Sequence, residues 1–215
     1  MKNLQSFSVL LFLLASLASC QKELSFNSDI PGIKIFEKTW MQKNLDVTTY
    51  RNGDPIPQVT DNATWDQLKT GAWCYYNNDT ANAQYGKLYN WYAVNDPRGL
   101  APEGWHIPTK EEWVMLVDSL GGDPVAGGKL KATRLWQSPN TGATNESGFG
   151  ALPGGVRNVM GEFGGMGTDG YWWTIKEHDA TTAVERNMAY NLTDCYMYFL
   201  EKQFGMSVRC VKNSN

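Results

Sequence analysis

From Gly121 onward glycine recurs at intervals too short for long helices: Gly121-Gly122, Gly127-Gly128, Gly148, Gly150, Gly154-Gly155, Gly164-Gly165 and Gly170. A glycine inside a helix costs about 1 kcal/mol relative to alanine, so a stretch broken this often favours short strands joined by turns. Short strands are expected near 170–175, 186–192, 196–200 and 206–211. The chain carries 9 Trp, 10 Tyr and 8 Phe, large side chains that fill a core between short elements.

The first half gives the helical signals. Thr109 followed three residues on by Glu112 is a capping box, and Trp113, Leu116, Val117 and Leu120 form one apolar stripe, so Lys110 to Leu120 is expected to be a helix ended by Gly121-Gly122. Asp61-Asn62 can cap a short helix running to Lys69, and Leu88, Trp91 and Tyr92 show helical spacing. Ile33 to Phe36 and Ala72 to Tyr76 read as strands, and Asn52-Gly53 as a tight turn. The sum is an α+β domain with two short helices, mostly antiparallel short strands and long irregular loops.

The N terminus reads as an address. Lys2 is followed by the apolar run Val9 to Leu14 and the small-residue stretch Ala15 to Cys20, which has the form of a secretory signal too short to span a bilayer. Leu17-Ala18-Ser19-Cys20 resembles the bacterial lipobox, which implies cleavage before Cys20 and acylation of its thiol, a firm anchor in outer-membrane lipid. Gln21-Lys22-Glu23 partly resembles the export signal of Bacteroidota surface lipoproteins, so the cell surface is expected over the periplasmic face. The expected organisation is a signal peptide at 1–19, lipidated Cys20 with a tether to 29, and one domain over 30–213.

Composition removes several functions. With 42% hydrophobic and 19% charged residues the chain is globular, and a net charge of −3 gives no footprint for nucleic acid. His106 and His178 are the two histidines, and neither lies in a nucleophile–acid pattern. His106 is expected to be a satisfied structural histidine and His178 a solvated one. No catalytic residues, cofactor or metal site are expected. Glu111-Glu112 sits in a helix first turn, where acids suit the macrodipole.

Exported cysteines invite a disulfide. Cys195 and Cys210 bracket an expected hairpin centred between Lys202 and Gln203, which would place them opposite each other and within bonding reach. Cys195–Cys210 is the expected bond, Cys74–Cys210 the competitor, and three reduced thiols the remaining outcome.

Eight stretches in order resemble the Fibrobacter succinogenes major paralogous domain family, found in lipoproteins of Bacteroidota and Fibrobacteres. They are Trp40 to Leu45, Tyr50 to Pro57, Tyr85 to Val94, Ala101 to Thr109, Glu112-Trp113, Gly148-Phe149 with Leu152 to Gly155, Tyr171 to Thr174 and Gly205 to Val211. The resemblance implies a C-type-lectin-like fold, distantly similar to formylglycine-generating enzymes, and no fixed activity. Many members carry Cys where this chain has Ala101. The paired cysteines at short spacing that such enzymes use are missing, so an oxidase is a remote alternative.

The scaffold directs attention to the loops. Asn77-Asn78-Asp79 offers amide and carboxylate oxygens for a ligand or calcium, though such a tripeptide is more often a turn that bonds its own backbone. The lectin Glu-Pro-Asn and Trp-Asn-Asp signatures are absent, which argues against calcium. Trp172 and Trp173 face opposite ways on a strand, so one can fill the core while the other meets a loop surface, with a framework role favoured. A glycan-binding domain predicts an exposed aromatic beside Asn or Asp in a groove. A structural envelope component, the alternative, predicts an apolar patch or an open strand edge.

Overall fold

The computed structural model describes residues 30–214. The signal segment, Cys20 and the whole tether to residue 29 lie outside the described residues. The elements are β1 (Gly32–Ile35), β2 (Lys38–Met41), α1 (Asn62–Asp66), β3 (Trp73–Cys74), β4 (Leu88–Tyr89), α2 (Trp91–Val94), β5 (Trp105–His106), α3 (Lys110–Ser119), α4 (Asp123–Leu130), β6 (Gly154–Arg157), β7 (Phe163–Met166), β8 (Asp169–Glu177), β9 (Thr182–Ala189), β10 (Tyr196–Glu201) and β11 (Val211–Lys212). This is an α+β protein with mostly antiparallel strands. Among the described residues no helix is long and apolar enough to cross a membrane.

One sheet, in the order β1-β2-β11-β5, joins the two ends of the domain, because Val211 pairs with both Trp40 and His106. A second sheet runs β10-β9-β8-β6-β7, in which only the β6–β8 contact is parallel. A two-stranded ladder, β3-β4, stands apart.

The helix α3 forms where the capping box places it. Thr109 Oγ1 accepts from the Glu112 amide at 3.1 Å, and the Glu112 carboxylate accepts from the Thr109 amide at 3.0 Å. Trp113, Leu116 and Val117 are buried on its inner face. Trp113 sits in a ring cluster that joins both sheets: its centroid is 4.9 Å from Trp40, 5.5 Å from Phe149 and 6.4 Å from Trp172.

Two expectations about local structure change. The helices number four, not two among the described residues, and α4 contains Gly127 and Gly128, which read as helix breakers. They are there for closeness. A Cβ on Gly127 would overlap the Asp194 carbonyl, and one on Gly128 would lie 2.5 Å from the Gly142 carbonyl oxygen. The hairpin expected between Cys195 and Cys210 does not form. β10 turns back on β9, pairing Tyr198 with Glu185 and Glu201 with Thr182. The chain after Glu201 leaves the sheet edge, and Gly205, Met206 and Ser207 bridge to Arg157, Tyr89 and Trp172.

The disulfide falls with the hairpin. Cys74, Cys195 and Cys210 are free and buried. Each belongs to a different hydrophobic cluster: Cys210 with Trp91 and Trp173, Cys195 with Trp113 and Trp172, Cys74 with Trp65. Neither Cys195–Cys210 nor Cys74–Cys210 is bonded. Burial pushes each of the three thiols up to about 12.

Candidate functional site

The expected loop residues are turn formers. Asn77 and Asn78 both have positive φ, at 53° and 55°, a conformation asparagine tolerates. Asn78 donates to the Thr60 carbonyl at 2.9 Å, and Asp79 accepts from the Ala81 amide at 2.9 Å to start the next 3-10 turn. The polar atoms of Asn77-Asn78-Asp79 are therefore partly spent on backbone. The following turn contributes Ala83 and Gln84 to a cavity of about 320 Å3 shared with Lys43 and Arg134, which the tripeptide does not line. Among the described residues no group of three or more His, Cys, Asp or Glu side chains could hold a metal ion.

Trp172 and Trp173 do face opposite ways, but neither meets a loop surface: both are fully buried. At these two positions the second sheet is covered on both sides. Trp172 packs with Trp113 and Phe149, while Trp173 packs with Tyr89 and Met206. Their indole N–H groups donate to Asn44 Oδ1 at 2.9 Å and to the Tyr89 carbonyl at 3.0 Å. As ligand-binding residues both are withdrawn.

His106 lies at the end of β5 with both ring nitrogens engaged. Nδ1 lies 2.8 Å from Asn213 Oδ1 and Nε2 lies 2.9 Å from the Glu112 carboxylate, which Lys38 also reaches at 3.1 Å. The bond to Glu112 raises the imidazole above its ordinary value against the opposing effect of burial. This cluster locks the start of α3 onto the first sheet. His178 stacks on Phe199, with ring centroids 3.8 Å apart and planes at 7°.

The place with the chemistry of a binding site is elsewhere, on one face of the β8-β9-β10 sheet. Directly paired residues of antiparallel strands share a face. Tyr171 pairs with Asn187, which pairs with Tyr196; Trp173 pairs with Glu185, which pairs with Tyr198; and Ala183 pairs with Leu200. These side chains form three rows on one face. Trp173 and Ala183 go under the core, but toward β10 the cover ends. Tyr171, Glu185, Asn187, Tyr198 and Leu200, with Val156 from β6 and Phe204 from the turn after β10, line an open cavity of about 380 Å3.

The polar groups in it are unusual. Glu185 is fully buried at the cavity floor. Its Oε1 accepts from Asn187 Nδ2 at 2.8 Å, and its Oε2 has no hydrogen-bond partner. Burial pushes the carboxyl up to about 8, with Asn187, the neighbouring Arg186 and, least, the Tyr198 backbone amide pulling the other way. Arg186 itself points to the opposite face, where Nη1 binds Asp123 at 2.7 Å and the Cys195 carbonyl at 2.9 Å. Tyr198, 53% exposed on the outer strand, forms one wall.

Sequence reasoning passed over Glu185, Asn187, Tyr198 and Phe204. A signal was present in the alternation Tyr196-x-Tyr198-x-Leu200, beside a strand that sets the polar run Glu185-Arg186-Asn187 between Val184 and Met188. Without the pairing register, nothing says that the two strands present those positions to the same side.

The fold and this face define an α+β domain with one sheet side left open beside its outer strand. Residues 33–212 match the Fibrobacter succinogenes major domain, and the chain belongs to that family. No curated protein and no solved structure matches it.

Proposed function

We propose that this chain is an outer-membrane lipoprotein, held by acylated Cys20 and facing the cell surface, whose domain is a non-catalytic, C-type-lectin-like binding module for a glycan or an envelope protein. The observation that carries the reading is the open face at Tyr198: an exposed aromatic ring beside an amide and an acid in a concavity, the combination a sugar- or protein-binding groove requires. The lipobox and the lectin-like resemblance support the location and the scaffold. Fold alone does not fix function, so the weight rests on the side chains.

The test has two arms. Protease treatment of intact cells should remove the domain, and Cys20→Ala should release it from the membrane fraction. The purified lipoprotein in detergent, on a glycan array with and without calcium, should bind in both conditions and lose binding in Tyr198→Ala without loss of fold. Retained glycan binding in Tyr198→Ala would place the site elsewhere.

A second reading has its own observation. β10 is an outer strand carrying Tyr198 and Phe199, both about half exposed on opposite faces, which is the open edge a structural envelope component would use to meet a neighbour. Protection of Phe199 and of the β10 amides in native outer membranes, with no soluble ligand bound, would favour it.

A further inference from the structure

We infer that the β8–β10 cavity takes an organic ammonium group, seated against the rings of Tyr171, Tyr198 and Phe204 with Glu185 as its counter-charge. The inference rests on the reading of this face as the binding face and names the ligand chemistry.

The lining favours one positive charge over many hydroxyls. Apart from Glu185 and Asn187 it is aromatic or aliphatic, and one of the two Asn187 side-chain N–H donors is already given to Glu185. A neutral sugar buried there would leave most of its hydroxyls without partners, which is costly. An ammonium bears one charge and an apolar surround. Ring faces attract cations, and a desolvated site strengthens that attraction.

Glu185 supplies the complement. Oε2 is a buried acceptor with no partner, and such atoms are rare in folded proteins. The adjacent cation, Arg186, is committed on the other face to Asp123. A primary ammonium gives Oε2 a charge-assisted hydrogen bond, and a quaternary one, which has no N–H, gives it a counter-charge alone. Glu185 has no water-accessible surface, so a ligand reaching Oε2 must displace a cavity wall, and the Tyr198 ring, half exposed on the outer strand, is the one with room to turn.

The proton balance follows. With the cavity empty, burial keeps the carboxyl largely protonated at neutral pH. The bound state pairs R–NH3+ or R–N(CH3)3+ with the carboxylate, and the Glu185 proton leaves to solvent. The other groups on this face are Asp169 and Tyr171 on β8 and Tyr196 and Tyr198 on β10. Tyr171 is pushed up to about 12, so its phenol stays neutral across the range.

The experiment uses the full lipoprotein in detergent and calorimetry in buffers of differing ionisation enthalpy. The probes are choline, its uncharged isostere 3,3-dimethylbutanol, glucosamine, glucose and Nα-acetyl-lysine amide. Choline should bind at least tenfold more tightly than the isostere, with release of close to one proton at pH 6.5 and a smaller release at pH 9. Glucosamine against Nα-acetyl-lysine amide distinguishes a saccharide source from a protein side chain. Glu185→Gln keeps the shape and the Asn187 contact, and should fold, bind choline at least tenfold more weakly and release no proton. Equal binding of charged and uncharged probes, or unchanged choline binding in Glu185→Gln, overturns the inference while leaving the binding-face reading standing. Binding of no probe overturns the inference, and glycan-array binding that survives Tyr198→Ala overturns the binding-face reading as well.

Discussion

Asn44 is the counterpart of Arg209: one amide oxygen accepts from Arg209 Nε at 3.0 Å and Nη2 at 2.8 Å, and also from the Trp172 indole at 2.9 Å. The guanidinium is buried, stacked 4.4 Å from the Phe149 ring, and its remaining contacts are the carbonyls of Met41 and Phe149. Burial without a carboxylate lowers it to about 9. Asn44 also donates to the Tyr85 carbonyl at 2.8 Å, so this side chain ties the loop after β2 to the second sheet and to the last strand.

Asn44→Leu should therefore behave as the loss of a buried charge partner. The Arg209 and Trp172 donors would be left unsatisfied in a place water does not reach. The expected cost is about 3–5 kcal/mol, measured by urea unfolding. Arg98→Ala, which removes exposed pairs with Asp54 and Asp96, should cost no more than about 1 kcal/mol. Equal costs would mean that Asn44 is not the hub its contacts describe.

The His106–Glu112 pair sets a pH window. Burial opposes ionisation of Glu112, but bonds from His106, the Thr109 amide and Lys38 outweigh it and hold the carboxyl down to about 2. Its contribution to stability is present above the ordinary 4.5 and is lost as pH falls through 2. His106 is raised above 6.5, so its contribution is complete below 6.5 and is lost as pH climbs through the raised value. Both operate together between 4.5 and 6.5. His106→Gln should lower the melting temperature most in that window, by roughly 2–4 °C for about 1 kcal/mol at a pair partly open to solvent on its His106 side. A difference that grows above pH 8 would contradict the sign.

What the sequence reveals depends on whether the cause is local. The start of α3 is legible because Thr109 and Glu112 satisfy each other within four residues. The alternation of Trp172 and Trp173 is also local and correct, yet its consequence is not: a sheet covered on both faces buries both rings, and only the packing of Trp113 and Tyr89 on either side decides that. The hairpin between Cys195 and Cys210 fails because β10 pairs with β9 through the earlier turn between Ala189 and Tyr196. The open face was hidden for the same reason. Glu185 and Tyr198 become neighbours through register alone.

α4 is the sharpest case of a local rule overturned by distance, and it can be measured. In an exposed helix, replacing glycine by alanine gains about 1 kcal/mol. At Gly127 the added methyl would overlap the Asp194 carbonyl, which is backbone and cannot rotate away. Gly127→Ala should destabilise by about 1–3 kcal/mol in chemical denaturation, reversing the usual sign. A stabilised variant would show that α4 and the segment before β10 are not in contact.

The cysteines give the last prediction. The proposed export would place the domain in oxidising conditions, but oxidation needs two sulfurs within reach of one another and at least one as thiolate. Here Cys74, Cys195 and Cys210 sit in separate clusters, each buried and each with its thiol pushed up to about 12. At pH 8 almost none of any thiol is ionised, so neither pairing nor attack on a reagent is favoured while the domain is folded. With Cys20 acylated, native protein should be inert to a thiol-specific chromophore at pH 8. The same protein in denaturant, without reductant, should release the full signal of three thiols. Peptide mapping under non-reducing conditions should then recover all three cysteines separately. A linked Cys195–Cys210 or Cys74–Cys210 peptide, or a denatured signal of only one thiol, would show that the exported chain oxidises and that the packing around at least two of these cysteines is different.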